Sequence, residues 1–199
     1  MTRRVRLLAP TTAALFIAAA TVTRAETRPI DTAQSKLTVF VYKSGLFSGL
    51  ADDHVIDAPI ASGSVSDTPP LSVAIEVHAG DMKVRDPNLS ASKRDEVQTR
   101  MMGPQVLDTM KFQSVTFEST AVEPNGTERW NVIGRLTIHG QTRPVTVLTT
   151  RANGRYRGMV LLKQRDFGIS PISLVGGTIK IKSKAAIADF FHQRFFLYL

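Results

Sequence analysis

The 199-residue chain has no cysteine, and it has only one tryptophan and three tyrosines. Without cysteine it cannot form disulfides, thiolate metal sites, a thiol nucleophile or a covalent c-type haem attachment. A domain of this size folds around a hydrophobic core without disulfides, even in an oxidising compartment. The small number of Trp and Tyr residues argues against a transmembrane β-barrel, which carries aromatic girdles at both membrane interfaces.

Long apolar runs are also lacking, except near the N-terminus. There, three arginines within the first six residues precede the mostly apolar stretch 7–22, and small residues at 23 and 25 follow it. This order is typical of a secretory signal peptide. An uncleaved membrane anchor is the alternative, but the stretch is shorter than the roughly 20 apolar residues that span a bilayer. We expect residues 1–25 to be removed after Ala25, leaving a periplasmic chain with no stable membrane insertion.

Much of the excess positive charge lies in the segment that we expect to be removed. The whole chain has a formal net charge of +8, and residues 1–25 hold four arginines and no acid, which leaves +4 on the mature chain. The remaining cations lie among acids, apart from Lys180–Lys184 and Arg151–Arg157. No stripe of cations follows a nucleic-acid backbone, so we expect no nucleic-acid partner. A mild attraction to anionic surfaces is the alternative that this charge leaves open.

The mature chain is dominated by apolar residues at every second position, which predicts strands with one buried face. The clearest stretches are Leu37–Val41, Leu71–Val77, Val115–Phe117, Trp130–Ile138, Val145–Val147 and Ile179–Ile181. Turn-forming sequences separate them at Ser66–Pro70, Pro124–Gly126, His139–Gly140, Asn153–Gly154 and Gly176–Gly177. Short strands joined by such turns indicate an antiparallel sandwich or barrel, and no internal repeat or linker divides residues 26–199.

One helical excursion interrupts this pattern near residues 92–110. Ser92 and Asp95 have the spacing of a capping box, which predicts a helix start at Ser92, and Gly103 predicts its end. Pro104 suits the first position of a second short helix, which we expect to run to Met110. Such an excursion covers one end of a barrel or packs on its flank.

Three segments taken together resemble the YceI-like family. Gly134–Val147 reads G-R-L-T-I-H-G-Q-T-R-P-V-T-V, similar to the family's G-x-L-T-I-H-G-x-T-R/K-P-V strand–turn–strand. Gln164–Ile169 is similar to its R-x-D-F-G segment. Lys93–Asp95, Leu107–Asp108 and Phe112–Ser119 stand in the place of its R-D, L-D and P-x-I-x-F-x-S elements. The order and spacing of these segments carry the resemblance.

The resemblance extends over about residues 30–182, with strands at Ser35–Tyr42 and Ala58–Val65 at the expected distances. It implies an eight-stranded antiparallel lipocalin-like barrel whose apolar interior holds a polyisoprenoid or another long-chain amphiphile. Two departures are evident. Gln113 replaces the family's proline, and the tail after Lys182 lacks the usual acidic alternation.

We therefore predict a non-enzymatic binder or carrier of a polyisoprenoid or fatty amphiphile, without a cofactor. The residues expected to line the ligand are Val39, Val41, Val73, Ile75, Val77, Phe117, Leu136, Ile138 and Phe167. The same side chains could instead fill the barrel completely. The protein would then be an interaction module of the envelope, and a homodimer is compatible with either hypothesis.

Asp52, Asp53 and His54 form the one polar cluster that resembles a metal or acid–base site. Three consecutive residues of a strand cannot all face one centre, so we predict a polar loop with no metal ligand and no catalytic residue. A metal-dependent enzyme that uses this loop is the less favoured alternative. No Ser lies in a G-x-S-x-G elbow, and the glycines form no phosphate loop. We expect a structural turn at His139, and we expect Arg165 and Asp166 to fix their strand through hydrogen bonds or an ion pair.

The C-terminal tail is rich in aromatic and aliphatic residues. Phe191, Phe195, Leu197 and Leu199 would share one face of a strand. An unpaired strand edge invites another chain, so the tail is a candidate docking edge for a partner.

Overall fold

In a computed structural model of the protein, residues 26–41 and 54–169 are described in full, and 185–188 by their backbone alone. Several predicted features lie outside these residues: the signal peptide, Asp52 and Asp53, the strand at 179–181, the Gly176–Gly177 turn and the aromatic tail. The described strands are β1 (Arg28–Pro29), β2 (Thr38–Val41), β3 (His54–Asp57), β4 (Ile60–Ser66), β5 (Ser72–His78), β6 (Lys83–Val84), β7 (Ser114–Pro124), β8 (Arg129–Ile138), β9 (Gln141–Ala152), β10 (Arg155–Met159), β11 (Leu161–Leu162) and β12 (Ala185–Ala188). One α-helix, α1 (Ala91–Met102), and the 3-10 helices Ala79–Asp81 and Gln164–Phe167 accompany them.

The strands form two sheets that curl into a half-barrel around an apolar core. The larger sheet has the order β1-β4-β5-β7-β8-β9-β10, and the smaller has the order β11-β12-β2-β3-β6. Every described strand pair is antiparallel. The prediction of an all-β antiparallel fold with one helical excursion is therefore confirmed.

The predicted number of eight strands is only approximate. Twelve strands are found in the described part of the chain, and β1, β6 and β11 have two residues each. The chain passes from the smaller to the larger sheet at Ala58–Pro59, where the proline cannot donate a ladder hydrogen bond. It returns to the smaller sheet for the two residues of β6, and again at Val160, between β10 and β11. These crossings divide runs of alternating apolar and polar residues that the sequence alone would assign to single strands.

The β8–β9 hairpin shows how local sequence determines register. The two strands pair without interruption from Arg129↔Thr150 to Ile138↔Gln141. His139 and Gly140, with φ of 50° and 68°, form the two-residue turn between them, and left-handed residues at both positions match the twist of the flanking strands. His139 also has a structural role, because its Nδ1 lies 3.3 Å from the carbonyl oxygen of Phe167.

The helix begins two residues earlier than predicted. Ser90 is the N-cap, and its Oγ accepts a hydrogen bond from the backbone N–H of Lys93 at 3.4 Å. The predicted end at Gly103 is confirmed. Gln98 connects the helix to β6, because its side chain accepts from the N–H of Val84 and donates to the carbonyl of Met82.

The second short helix predicted from Pro104 to Met110 is wrong. The segment forms hydrogen-bonded turns, because Asp108 adopts a left-handed backbone with φ of 47° and its carbonyl accepts the N–H groups of Lys111 and Phe112. A left-handed residue interrupts the helical ladder. Met110, at the end of the predicted helix, is 91% exposed.

Candidate apolar binding site

The inward faces of both sheets meet around a cavity of about 130 Å³, here called the inner cavity. Met101 of α1, together with Val106 and Leu107 of the following turns, lies at its wall, so the helical excursion covers this part of the half-barrel. Gln164 is the one polar side chain among the described residues that line it. Eight of the nine predicted lining residues are here: Val39, Val41, Ile75, Val77, Phe117, Leu136, Ile138 and Phe167.

The ninth, Val73, lies in a second and larger cavity of about 430 Å³, here called the outer cavity. Its apolar lining was mostly not predicted from the sequence, although its members occupy inward positions of the same alternating strands. They include Val65, Leu71, Val122, Trp130, Val132 and Val147. The alternation of apolar and polar residues predicted correctly that these side chains face inward. It could not predict which of the two cavities each side chain would line.

Ile75 and Phe117 line both cavities and form the wall between them. Phe117 is 8% exposed, and its ring lies against Gly134 of β8. A Cβ added at Gly134 would lie 2.5 Å from the ring Cζ and 2.5 Å from the carbonyl oxygen of Glu118. The glycine on this inward face therefore makes the space that the ring occupies.

Polar groups surround one part of the outer cavity. Asp67 accepts a hydrogen bond from Arg28, and Arg151 Nη1 lies 3.7 Å from a carboxylate oxygen of Glu128. The guanidinium of Arg151 also lies over the ring of Tyr156, 5.6 Å from its centroid. Burial raises the pKa of Tyr156 above its usual value of 10.0. The phenol thus stays protonated at neutral pH and can donate a hydrogen bond.

Trp130 and Tyr156 place aromatic rings beside these polar groups, with centroids 5.8 Å apart. Both residues line the outer cavity, as do Arg151 and Asp67. The outer cavity therefore combines apolar walls with polar groups that could orient the head of an amphiphile, whereas the inner cavity suits only an apolar group.

His54 lies beside the carboxylate of Asp86. Its Nδ1 lies 2.6 Å from Oδ2 of Asp86, and Oδ1 of Asp86 accepts the N–H of Val55 at 2.5 Å. Asp86 is only 3% exposed, and no motif pointed to it. Arg94 of α1 donates to the carbonyls of Asp86 and Leu89. This cluster connects β3 to the segment that precedes the helix.

Within residues 26–41 and 54–169, no three His, Asp or Glu side chains are grouped so that they could hold a metal ion. Arg165 and Asp166 are both exposed on their 3-10 helix. The hydrogen bonds described for this segment come from its backbone, including Gly168 N–H to the carbonyl of Arg165. In the same described part of the chain, no helix has the length and apolar character needed to cross a membrane.

Comparison with known proteins adds the following. A family model described as the YceI-like domain matches residues 29–187. A UPF0312 protein of Yersinia pestis is 40% identical over 80 residues, covering 35% of this chain and 41% of that protein. A UPF0312 protein of Vibrio vulnificus is 29% identical over 120 residues, covering 51% and 64%. The chain thus spans less than two thirds of either relative's length.

The fold also has a counterpart among solved structures. The crystal structure of BcnA from Burkholderia cenocepacia matches with a TM-score of 0.64 at 20% identity, covering 80% of this chain and 98% of that one. At this identity the likeness concerns the fold alone.

Proposed function

The chain belongs to the YceI-like domain family, a family of β-barrel proteins that bind hydrophobic ligands without catalysis, and from this membership we propose that it carries a long-chain apolar ligand in the periplasm. The cargo we propose is a polyisoprenoid or a fatty amphiphile. The main observation in support is the pair of cavities along the inward face of the strands, with the inner one lined almost entirely by apolar side chains. Export through the N-terminal segment is part of the same proposal.

Cavity size supports a division of the ligand between the two spaces. Ligand pockets commonly measure about 300–1,000 Å³, and the outer cavity of about 430 Å³ lies within that range. The inner cavity of about 130 Å³ is close to an engineered cavity of roughly 150 Å³ that binds benzene. We infer that the inner cavity takes the apolar end of the chain and the outer cavity takes the part nearer the polar head.

The physical source of affinity would be the removal of hydrocarbon from water. This contributes roughly 25 cal/mol per Å² of apolar surface, or about 0.8 kcal/mol per CH₂ group. Affinity should therefore rise with chain length until both cavities are full. The polar groups near Tyr156 and Arg151 would orient the head rather than supply most of the binding energy.

A packed interior is the second candidate. The small volume of the inner cavity and the wall formed by Ile75 and Phe117 favour it, since a long chain passes between the cavities only if that wall yields. The protein would then act through its surface as an interaction module. Native mass spectrometry of the protein purified from the periplasm, followed by solvent extraction, separates the two candidates. A discrete long-chain lipid at one per chain supports carriage, whereas an empty protein that refuses added isoprenoids and fatty acids contradicts it.

Substitution of the cavity wall tests where the ligand lies. Val73→Trp adds a bulky ring to the outer cavity beside Ile75. Ala74→Trp is the matched control, because Ala74 is the next residue of β5 and points away from that cavity. We expect Val73→Trp to abolish uptake and Ala74→Trp to retain it, with both folds verified by circular dichroism. Undiminished uptake by a folded Val73→Trp protein would show that the lining assignment is wrong.

A further inference from the structure

Three of the four large hydrophobic residues that are exposed in the described part of the chain lie close together on the outside of the half-barrel. Leu148, Met159 and Leu161 are 50%, 46% and 58% exposed. They line one surface groove of about 820 Å³. Single exposed apolar residues are ordinary on protein surfaces, but a group of them in one groove marks an interaction site.

Their positions follow from strand geometry rather than from a disturbed core. Leu148 and Met159 are directly opposite each other in the β9–β10 ladder, so their side chains share the outer face. The residue next to each of them in the sequence is buried. Val147 and Val160 are each 6% exposed, and Leu162 is 8% exposed. The core positions of these strands are thus already occupied, and the outer positions carry apolar residues where polar ones would be ordinary.

The groove opens where β10 leaves β9. The two strands pair only from Leu148 onward along β9, and β11 then joins the other sheet. Residues 141–147 of β9 are left with β8 as their described strand partner. The groove lies between this edge and the segment 161–167.

Three exposed cations stand at the groove: Arg143, Lys163 and Arg165. None of them forms a salt bridge with the residues that the structure describes, whereas Arg85, Arg100 and Arg135 elsewhere each lie beside an acid. Arg143 instead donates to the carbonyl of Thr142 and to the side chain of Gln141. Asp166 is the one acid among the described lining residues. The groove therefore combines exposed apolar residues with a net positive charge.

We propose that this groove, which Leu148, Met159 and Leu161 line together with three cations, docks the protein onto the surface of an anionic phospholipid bilayer. Apolar side chains enter the boundary of the acyl chains while Lys and Arg remain among anionic headgroups. Each Lys or Arg near such a surface contributes about 1 kcal/mol.

The groove is also next to the proposed cargo site. Leu162 and Phe167 line both the groove and the inner cavity, so these two side chains separate the docked surface from the apolar interior. This part of the inference rests on the proposed function: docking would place the cavity wall against the membrane from which a lipid is loaded or to which it is delivered. The docking itself requires no bound cargo.

Vesicle flotation tests the proposal with the protein expressed from the full-length chain and purified without detergent. The probes are vesicles of phosphatidylcholine alone and vesicles of equal parts phosphatidylcholine and phosphatidylglycerol. We expect binding to the anionic vesicles only, weakened by added salt because salt screens exposed charges. Absence of binding to the anionic vesicles at low salt overturns the proposal.

Two sets of substitutions separate a defined face from general charge attraction. The triple variant Arg143→Gln, Lys163→Gln, Arg165→Gln should bind about a hundredfold more weakly, since three contributions of about 1 kcal/mol are lost. The matched control Lys36→Gln, Lys83→Gln, Lys93→Gln removes the same charge from exposed positions outside the groove and should bind within a few-fold of the wild type. Equal losses in both triples would overturn the proposal.

The apolar part is tested by Leu148→Ser with Leu161→Ser, which should also weaken vesicle binding while the fold is retained. If this double variant binds as the wild type does, the apolar insertion is wrong. Light scattering on the same proteins tests whether a second copy of the chain occupies the groove. If the wild type is a dimer and the double variant is a monomer, the groove is a dimer interface and membrane docking is overturned. Cargo content, read separately by native mass spectrometry, reports on the proposed function and not on docking.

Discussion

Replacing Gly134 with alanine tests whether the wall between the two cavities is built as the structure shows. The added Cβ would lie 2.5 Å from Cζ of Phe117, 2.6 Å from its Cε2 and 2.5 Å from the carbonyl oxygen of Glu118. The ring could turn aside only within a packed core, and the carbonyl belongs to the neighbouring strand of the ladder. The ring of Phe117 and the backbone of at least one of the two strands must therefore both shift.

Overpacking of this kind costs about 1–3 kcal/mol in the free energy of unfolding. For a domain of this size, each kcal/mol lowers Tm by roughly 2–4 °C. Urea unfolding followed by tryptophan fluorescence and circular dichroism measures the loss. Gly80→Ala is the matched control, because no heavy atom lies within 4 Å of a Cβ added there and its φ is not left-handed. We expect it to change stability by less than about 1 kcal/mol.

The contribution of the ring can be isolated in a double-mutant cycle with Phe117→Leu. Phe117→Leu removes the far end of the ring and with it the clash between the ring and the added Cβ. Gly134→Ala should therefore lower the free energy of unfolding by less in the Phe117→Leu protein than in the wild type, with an interaction energy between the two substitutions of about 0.5–3 kcal/mol. The clash with the Glu118 carbonyl remains in both backgrounds. If Gly134→Ala alone leaves stability within about 0.5 kcal/mol of the wild type, the described packing of Phe117 on β8 is incorrect.

Three further outcomes are expected. Phe117→Ala should join the two cavities, lower the free energy of unfolding by about 3–5 kcal/mol, and admit longer chains in native mass spectrometry; an unchanged chain-length preference would contradict its role as the wall. Asp86→Ala should destabilise by about 1–3 kcal/mol in urea unfolding because the N–H of Val55 and the ring of His54 lose their buried acceptor, and a neutral result would refute this. Hydrogen bonds from Ser114 and Ser62 lower the pKa of Glu76, so its stabilising effect is present above pH 4.5 and is lost as pH falls through the lowered pKa. Ser114→Ala should raise the pKa of Glu76 in an NMR titration, and an unmoved pKa would contradict the assignment.

Local patterns in the sequence predicted the strands and turns well where one face is buried and turn residues are specific. A turn at His139–Gly140 was predicted between two alternating stretches, and the structure has it there, joining the paired strands β8 and β9. The helix start was placed at Ser92, two residues late, because Ser90 competes with it as a cap within the same short segment. The prediction of a second helix was wrong because the residue types of that segment do not indicate the left-handed backbone of Asp108.

Alternation also placed the predicted lining residues on the inward face, but it could not predict how the interior is divided. Val73 and Ile75 lie two residues apart on β5, yet only Ile75 reaches both cavities. The buried Asp86 beside His54 was not predicted, since the two residues are 32 positions apart. Whether the lining residues bind a ligand stays a prediction.

The sequence by itself determined the all-β class, the faces of the strands and the tight hairpin turns, because these depend on period-two burial and on residues that accept a left-handed backbone within a few positions. Only the tertiary structure decided how the strands divide into two sheets, how Ile75 and Phe117 separate two cavities, and how Leu148, Met159 and Leu161 come together with cations on the outside. These features arise from contacts between segments far apart in the chain, and such contacts depend on the curvature and crossing of strands rather than on any local pattern.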